Sequence, residues 1–164
     1  FFMEFQNRDE FANNGFKEPI VQLNHSRSKK GVVRGRHYQI NPSPMGKLVK
    51  CISGRIFDVG VDIRKGSPTF GQWFGDIISS ENHKMFYFPP GFAHGFLALE
   101  DGTEVVYACT GVYSQGNERA LLWNDPGIGI KWPLELVNGK VIVSERDQKH
   151  PGLTNAETNF VFKP

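Results

Sequence analysis

Glycine and proline interrupt this chain so often that little of it can be helical. Its 164 residues include 18 Gly and 10 Pro, and the apolar runs between them are short and bounded by turn residues, the pattern of many short strands. The clearest alternation runs over residues 55–63. Phe57, Val59, Val61 and Ile63 share one face there, and Ile56, Asp58, Gly60 and Asp62 share the other, so the first set is the expected core face. Further strands are predicted over 20–24, 31–39, 47–53, 70–78, 85–88, 96–99, 104–110 and 121–123. Turns at Ser53-Gly54, Lys65-Gly66-Ser67-Pro68, Pro89-Pro90-Gly91 and Glu100-Asp101-Gly102 separate several of them. Helix is confined to 8–12 and to a turn that Ser144 can cap. Antiparallel strands at this spacing, without alternating helices, predict an all-β fold, either a closed barrel or a double sheet.

At this length one domain spanning 1–164 is the expectation, with an extended, partly mobile tail from about 151. The 19 Lys+Arg and 17 Asp+Glu give a net charge of +2. The basic residues are scattered, which disfavours nucleic acid as a partner and leaves room for a pocket that takes a phosphorylated small molecule. Cys51 and Cys109 each sit in an apolar run and are expected to be buried free thiols. The longest apolar candidate, residues 85–99, is broken by Pro89, Pro90, Gly91, His94 and Gly95, so no membrane span is expected. The opening residues show no signal-peptide pattern, and a cytoplasmic location is the expectation.

The segment Arg34-Gly35-Arg36-His37-Tyr38-Gln39, read as a regular strand, puts Arg34, Arg36 and Tyr38 on one face and Gly35, His37 and Gln39 on the other. Arg36 would then point away from His37 toward the surface or a partner. A lone His is more often structural than catalytic, and Lys47, Asp58 and Tyr107 each have an equally plain reading: turn lysine, outward charge, core aromatic. As a set they are more suggestive. A histidine can take a proton at neutral pH, a tyrosine can donate one, and a lysine can stabilise the oxyanion that forms when a carbon beside a carbonyl is deprotonated.

Phe88-Pro89-Pro90-Gly91-Phe92-Ala93-His94 presents His94 from a tight turn at the start of a strand, and this resembles the second half-motif of cupins, P-x-G-x-x-H. Cupin metal sites add an H-x-H pair, and here the corresponding strand reads Arg36-His37-Tyr38. His25, His83 and His150 lie in polar, turn-like contexts. No catalytic metal and no cofactor is therefore expected.

Phe1-Phe2-Met3-Glu4, Asn24-His25-Ser26-Arg27-Ser28, Arg34-Gly35-Arg36-His37-Tyr38-Gln39, Gly46-Lys47-Leu48-Val49, Phe57-Asp58-Val59, Gly66-Ser67-Pro68-Thr69-Phe70-Gly71, Pro90-Gly91-Phe92-Ala93-His94-Gly95-Phe96, Trp123-Asn124-Asp125-Pro126 and Ser144-Glu145-Arg146-Asp147 together resemble the dTDP-4-dehydrorhamnose 3,5-epimerase family. The resemblance implies a cupin-type jelly-roll β-barrel with a few short helices. It also implies a homodimer whose N-terminal strands help build the partner's pocket, and a dTDP-4-keto-6-deoxy sugar as substrate. It makes His37 the base, oriented by Asp147, Tyr107 the acid, and Lys47, held by Asp58, the group that stabilises the enolate. Arg34 and His94 would complete the sugar and diphosphate environment. Tyr113 would stack on thymine, with Glu4, Gln22, Leu23, Asn24, Glu118 and Arg146 as further contacts.

Two positions depart from the family pattern. Its usual RGLHYQ has Arg36 in place of Leu, and the Lys that commonly precedes the Asp is Arg146, which keeps the charge and changes its geometry. The activity implied is inversion of carbons 3 and 5 of dTDP-4-dehydro-6-deoxy-D-glucose to give dTDP-4-dehydro-L-rhamnose. The alternatives are a mono-epimerase acting at one of those carbons, a non-catalytic sugar-nucleotide jelly roll, and a metal-dependent cupin.

Overall fold

The computed structural model describes all 164 residues. One sheet has four antiparallel strands in the order β1 (Gln22–Ser28), β8 (Thr103–Cys109), β3 (Lys47–Ser53), β6 (Met85–Phe88). The other runs β10 (Ile142–Val143), β2 (Val32–Gln39), β7 (Phe92–Ala98), β4 (Arg55–Asp62), β5 (Trp73–Ser79), and β9 (Glu118–Leu121) also pairs with β2. Only the short β10 runs parallel to its neighbour. The expected all-β class holds, with the strands arranged in two packed sheets. The helix α1 (Arg8–Asn13) starts where Asn7 accepts hydrogen bonds from the backbone N–H groups of Asp9 and Glu10. No helix is long and apolar enough to cross a membrane.

The largest boundary errors fall beside turns. β7 begins at Phe92 rather than 96, because the Pro89-Pro90-Gly91 turn, with Gly91 at φ +93, delivers the chain straight into the ladder. His94 is therefore inside a strand and buried, not on a rim. β5 begins at Trp73 rather than 70, after a turn in which Gly66 and Gly71 both take positive φ. The segment after Ser144 is a turn in which the Ser144 hydroxyl accepts from the Asp147 N–H. The tail beyond Pro151 makes one 3-10 turn over Leu153–Asn155, then runs extended and packed down: Thr158 and Phe160 are buried, and the Glu157 carbonyl accepts the Tyr38 hydroxyl at 2.7 Å.

Strand β4 is buried on both faces, and this reverses the sense of its pattern. Val59, Val61 and Ile63 pack with Tyr38, Leu121, Ile128 and Phe160 on the outer face of the larger sheet, beneath the C-terminal segments. Ile56 instead packs with Val49, Cys51, Phe88, Phe96 and Val105 between the sheets. The mixed face that carries Asp58 and Gly60 thus points into the sandwich, and Asp58 is fully buried rather than an outward charge. Cys51 and Cys109 are buried free thiols.

Arg36 overturns a second expectation. It is 0% exposed, and none of its three guanidinium nitrogens has a hydrogen-bond partner. Burial lowers its pKa to about 10, opposed by the nearby Asp125 carboxylate. Asp125 is itself satisfied by the N–H groups of Gly127 and Leu153, so removing the guanidinium does not strand it. An unpaired buried polar group costs about 1–3 kcal/mol, and Arg36→Leu is expected to stabilise the fold by a similar amount. Urea or thermal unfolding checks this, and a lower midpoint would mean that attraction to Asp125 outweighs the desolvation.

Candidate active site

A cavity of ≈ 680 Å³ opens along the inner face of β2. Strand β2 reaches it through a bulge. Against β7, Arg34 pairs with Phe96 and His37 with His94, so three steps on β2 match two on β7. The extra residue rotates the strand. It places Arg34 and His37 on the same inner face, where regular alternation would separate them, and turns Val33, Arg36 and Tyr38 outward. Two glycines make room for it. A Cβ on Gly95 would lie 2.7 Å from the Arg34 carbonyl oxygen, and one on Gly35 would lie 2.9 Å from the Asp147 carboxyl carbon.

Asp147 arrives from the turn after β10, whose parallel pairing with β2 carries that turn over His37. Asp147 Oδ1 lies 2.8 Å from His37 Nε2, and its Oδ2 accepts the Gly35 N–H at 3.2 Å. From β9, Glu118 Oε1 meets the other ring nitrogen, His37 Nδ1, at 3.0 Å. Glu118 Oε2 accepts the Tyr113 hydroxyl at 3.0 Å and also pairs with the Arg146 guanidinium. Burial opposes charge on His37, but the two carboxylates prevail and hold its pKa above the ordinary histidine value. Glu118 is correspondingly lowered to about 2, chiefly by the bond to His37. Asp147 pays for its burial and is still pulled well below the carboxylate range by His37. Because both ring nitrogens are engaged, His37 becomes a base only when one carboxylate partner yields its place.

The opposite wall comes from the smaller sheet. Tyr107 of β8 and Lys47 of β3 line the cavity, and burial raises the tyrosine's pKa, keeping its proton in place. Burial lowers the pKa of Lys47, whose ammonium donates to the His37 carbonyl at 3.1 Å. Asp58 does not hold Lys47. It bonds to His94 Nε2 at 2.6 Å, while Phe88 stacks on the His94 ring at 4.6 Å. The register explains this: His94 lies opposite Gly60 on β4, next on that face to Asp58. Gly60 lacks the Cβ that would strike the Phe88 ring at 2.4 Å.

Gln22, Asn24, Arg34, His37, Lys47, His94, Tyr107, Tyr113, Glu118, Arg146 and Asp147 all line the cavity. Gln22 Oε1 accepts the Tyr113 N–H, fixing the loop that carries that ring. Arg34 is held by the Ser28 hydroxyl and the Arg27 carbonyl. Two expected contacts lie elsewhere: the Leu23 side chain alternates outward and is exposed, and Glu4 is exposed in the N-terminal segment, bonded to Asn7. Nothing in the local sequence signals the Glu118 bond to His37, and only the glycine inside the strand hints at the bulge. It also read His150 as a turn residue, whereas its ring nitrogen lies 3.4 Å from Asp147 Oδ1. His37, Asp147 and His150 are grouped closely enough to hold a metal ion.

The arrangement suits proton transfer across a cavity: a carboxylate-held imidazole on one sheet, and a protonated phenol and a cation on the other. Comparison with known proteins points the same way. The family model described as dTDP-4-dehydrorhamnose 3,5-epimerase matches residues 1–155. A dTDP-4-dehydrorhamnose 3,5-epimerase of Shigella flexneri is 52% identical over 82% of this chain and 75% of its own. The crystal structure of dTDP-6-deoxy-D-glucose-3,5-epimerase from Legionella pneumophila Philadelphia 1, in complex with dTDP-4-keto-L-rhamnose, superposes with a TM-score of 0.87 at 42% identity, covering 94% of this chain and 80% of that one. A 3'-monoepimerase from Streptomyces bikiniensis in complex with dTDP-quinovose gives 0.84 at 33% identity, covering 92% and 75%.

Proposed function

The chain belongs to the dTDP-4-dehydrorhamnose 3,5-epimerase family, and from that premise we propose that His37 and Tyr107 invert carbons 3 and 5 of a dTDP-4-keto-6-deoxy sugar held between the two sheets. The chain is an isomerase that converts dTDP-4-dehydro-6-deoxy-D-glucose to dTDP-4-dehydro-L-rhamnose. The observation that carries the assignment of roles is the position of the His37–Asp147 pair on one sheet, facing Tyr107 and Lys47 on the other across one cavity.

In each half-reaction the C–H bond beside the 4-keto group breaks. Its proton passes to the His37 Nδ1 that Glu118 yields on substrate binding, and its electron pair moves into the carbonyl, giving an enolate whose oxygen Lys47 stabilises. Tyr107 then donates its proton to the carbon from the other face, the carbonyl re-forms and the configuration is inverted. The resulting phenolate and imidazolium exchange protons with solvent before the second carbon reacts. Asp147 fixes the His37 tautomer and stabilises its charged form. Arg34 supplies positive charge for the diphosphate, His94 shapes the sugar end, and Tyr113, Gln22, Asn24, Glu118 and Arg146 receive the nucleotide. Neither a metal nor a cofactor enters these steps.

Proton NMR of the product formed from dTDP-4-dehydro-6-deoxy-D-glucose tests the assignment. Inversion at both carbons is expected. Inversion at one would make the enzyme a mono-epimerase, the activity named for the Streptomyces bikiniensis relative, and unchanged substrate would overturn the reading.

A homodimer fits the N-terminal segment. Phe1, Phe2 and Phe5 are exposed, with Phe1 stacked on His83 ahead of β6 and Phe5 beside Lys50 of β3, while Val21 and Leu23 are exposed at β1, an open sheet edge, and Glu4 does not line the cavity of its own protomer. Light scattering is expected to give twice the 18.5 kDa chain mass, and a monomer at working concentrations would contradict this.

The pKa shifts fix the sign of the pH dependence. The His37 pKa is raised above the ordinary histidine value, and only its neutral form can accept a proton, so kcat/KM of the free enzyme is expected to rise with an apparent pKa above 6.5. Glu118→Gln removes one of the two stabilising carboxylates and is expected to move that acid limb to lower pH. A limb that stays in place would mean that the Glu118 contact is not kept in solution. Lys47 is expected to set the alkaline limb below its ordinary value of 10.5.

A further inference from the structure

His150 meets the catalytic pair at a place that the proton transfer does not use. Its Nε2 lies 3.4 Å from Asp147 Oδ1, the same oxygen that His37 Nε2 meets at 2.8 Å, and the two rings stand edge to face at 5.7 Å. The His150 Nε2 atom is buried and makes no hydrogen bond, so its contact with Asp147 has the right separation and the wrong alignment. All three donor atoms lie within 4.8 Å of one another. His150 is not part of the cavity wall, so the cluster sits behind the face of His37 that the sugar would meet.

We propose that His37, Asp147 and His150 form a site for a divalent transition metal, zinc above all, and that metal bound there switches the catalytic base off. Two imidazoles and a carboxylate are a donor set that such cations favour. With bonds of about 2.0–2.2 Å, tetrahedral zinc places its ligand atoms about 3.3 Å apart, so small side-chain rotations bring the three donors into place, with water as the fourth ligand. The outer partners already stand where a metal-bound histidine and carboxylate need them. Glu118 Oε1 lies 3.0 Å from His37 Nδ1, and the Gly35 N–H is held by Asp147 Oδ2 at 3.2 Å.

The inhibition follows from the valence of imidazole. A neutral ring that gives its Nε2 lone pair to a metal carries its one proton on Nδ1, and it has no lone pair left to take a proton from carbon. Metal also displaces the Asp147 hydrogen bond that supports charge on the ring. This effect on turnover rests on the epimerase reading, whereas metal binding does not.

Cobalt(II) titrated into the chelator-treated full chain tests the site without substrate. The visible absorption of four-coordinate cobalt is expected to appear, to saturate at one ion per chain and to vanish on adding zinc, and His150→Gln is expected to weaken binding at least about tenfold. Separately, zinc is expected to lower kcat with little change in KM, reversibly on adding EDTA. His150→Gln is expected to keep metal-free turnover within about twofold and to resist zinc at concentrations that silence the parent. Absence of the cobalt spectrum, or equal binding by parent and variant, would overturn the site. A site present and lost in the variant, with turnover indifferent to zinc, would overturn the switch alone. Metal-free protein that never turns over substrate would count against the epimerase reading and leave the cobalt result to decide the site.

Discussion

His37→Ala is expected to lower kcat by about 10²–10⁴-fold, the contribution of a positioned general base, and to abolish exchange of substrate hydrogens with solvent. Nothing else in the cavity can take over. With His37 removed, Asp147 is still engaged by the Gly35 N–H and Glu118 by the Tyr113 hydroxyl and the Arg146 guanidinium, contacts that favour their charged forms and weaken them as proton acceptors. His94 is tied to Asp58 at 2.6 Å and buried under Phe88. Lys47 is needed in its charged form. Steady-state kinetics, with a thermal melt to show that the variant is folded, provide the check. A variant that keeps a tenth or more of the parent rate would place the base elsewhere.

Tyr107→Phe is expected to separate the two halves of the reaction. The base on the opposite sheet remains, so the substrate C–H bond still breaks, but no donor serves the far face. In deuterated water the substrate should gain deuterium with its configuration retained, because His37 returns a solvent-derived deuteron to the face from which it took the proton. Net inversion is expected to fall by about 10²-fold or more. Equal loss of exchange and inversion would show that Tyr107 also serves deprotonation, and undiminished inversion would remove it from the mechanism.

The sequence revealed the strands better than it revealed which faces they bury. Residues 47–53 and 85–88 match β3 and β6 end to end, because turn residues bound both. Where a face was misassigned, the cause is tertiary. The apolar stripe of β4 looked like the only core face because its other face carries Asp58 and Gly60, and those belong to a buried polar site between the sheets. Arg36 was placed outside by strict alternation, which indeed turns it away from His37. No local signal showed that the C-terminal segments cover that outer face.

Of the expected site residues, the cavity gathers all but Glu4, Leu23 and Asp58. The motif strings carry identity but not partners. Asp58 was paired with Lys47 on resemblance, whereas the β4–β7 register gives it to His94. The bulge at Gly35 and Arg36 could be read only faintly, from a glycine inside a strand. The bonds from Glu118 to His37 and from Gly35 to Asp147 span 81 and 112 residues, beyond the reach of any periodicity.

If one histidine and one tyrosine on opposite sheets move protons at two carbons, solvent hydrogen must enter at both. Running the parent enzyme in deuterated water and measuring deuterium at carbons 3 and 5 of the inverted product tests this. Solvent-derived deuterium at both positions, absent from His37→Ala, is the predicted result. An inverted product that keeps its original hydrogen at either carbon would contradict it.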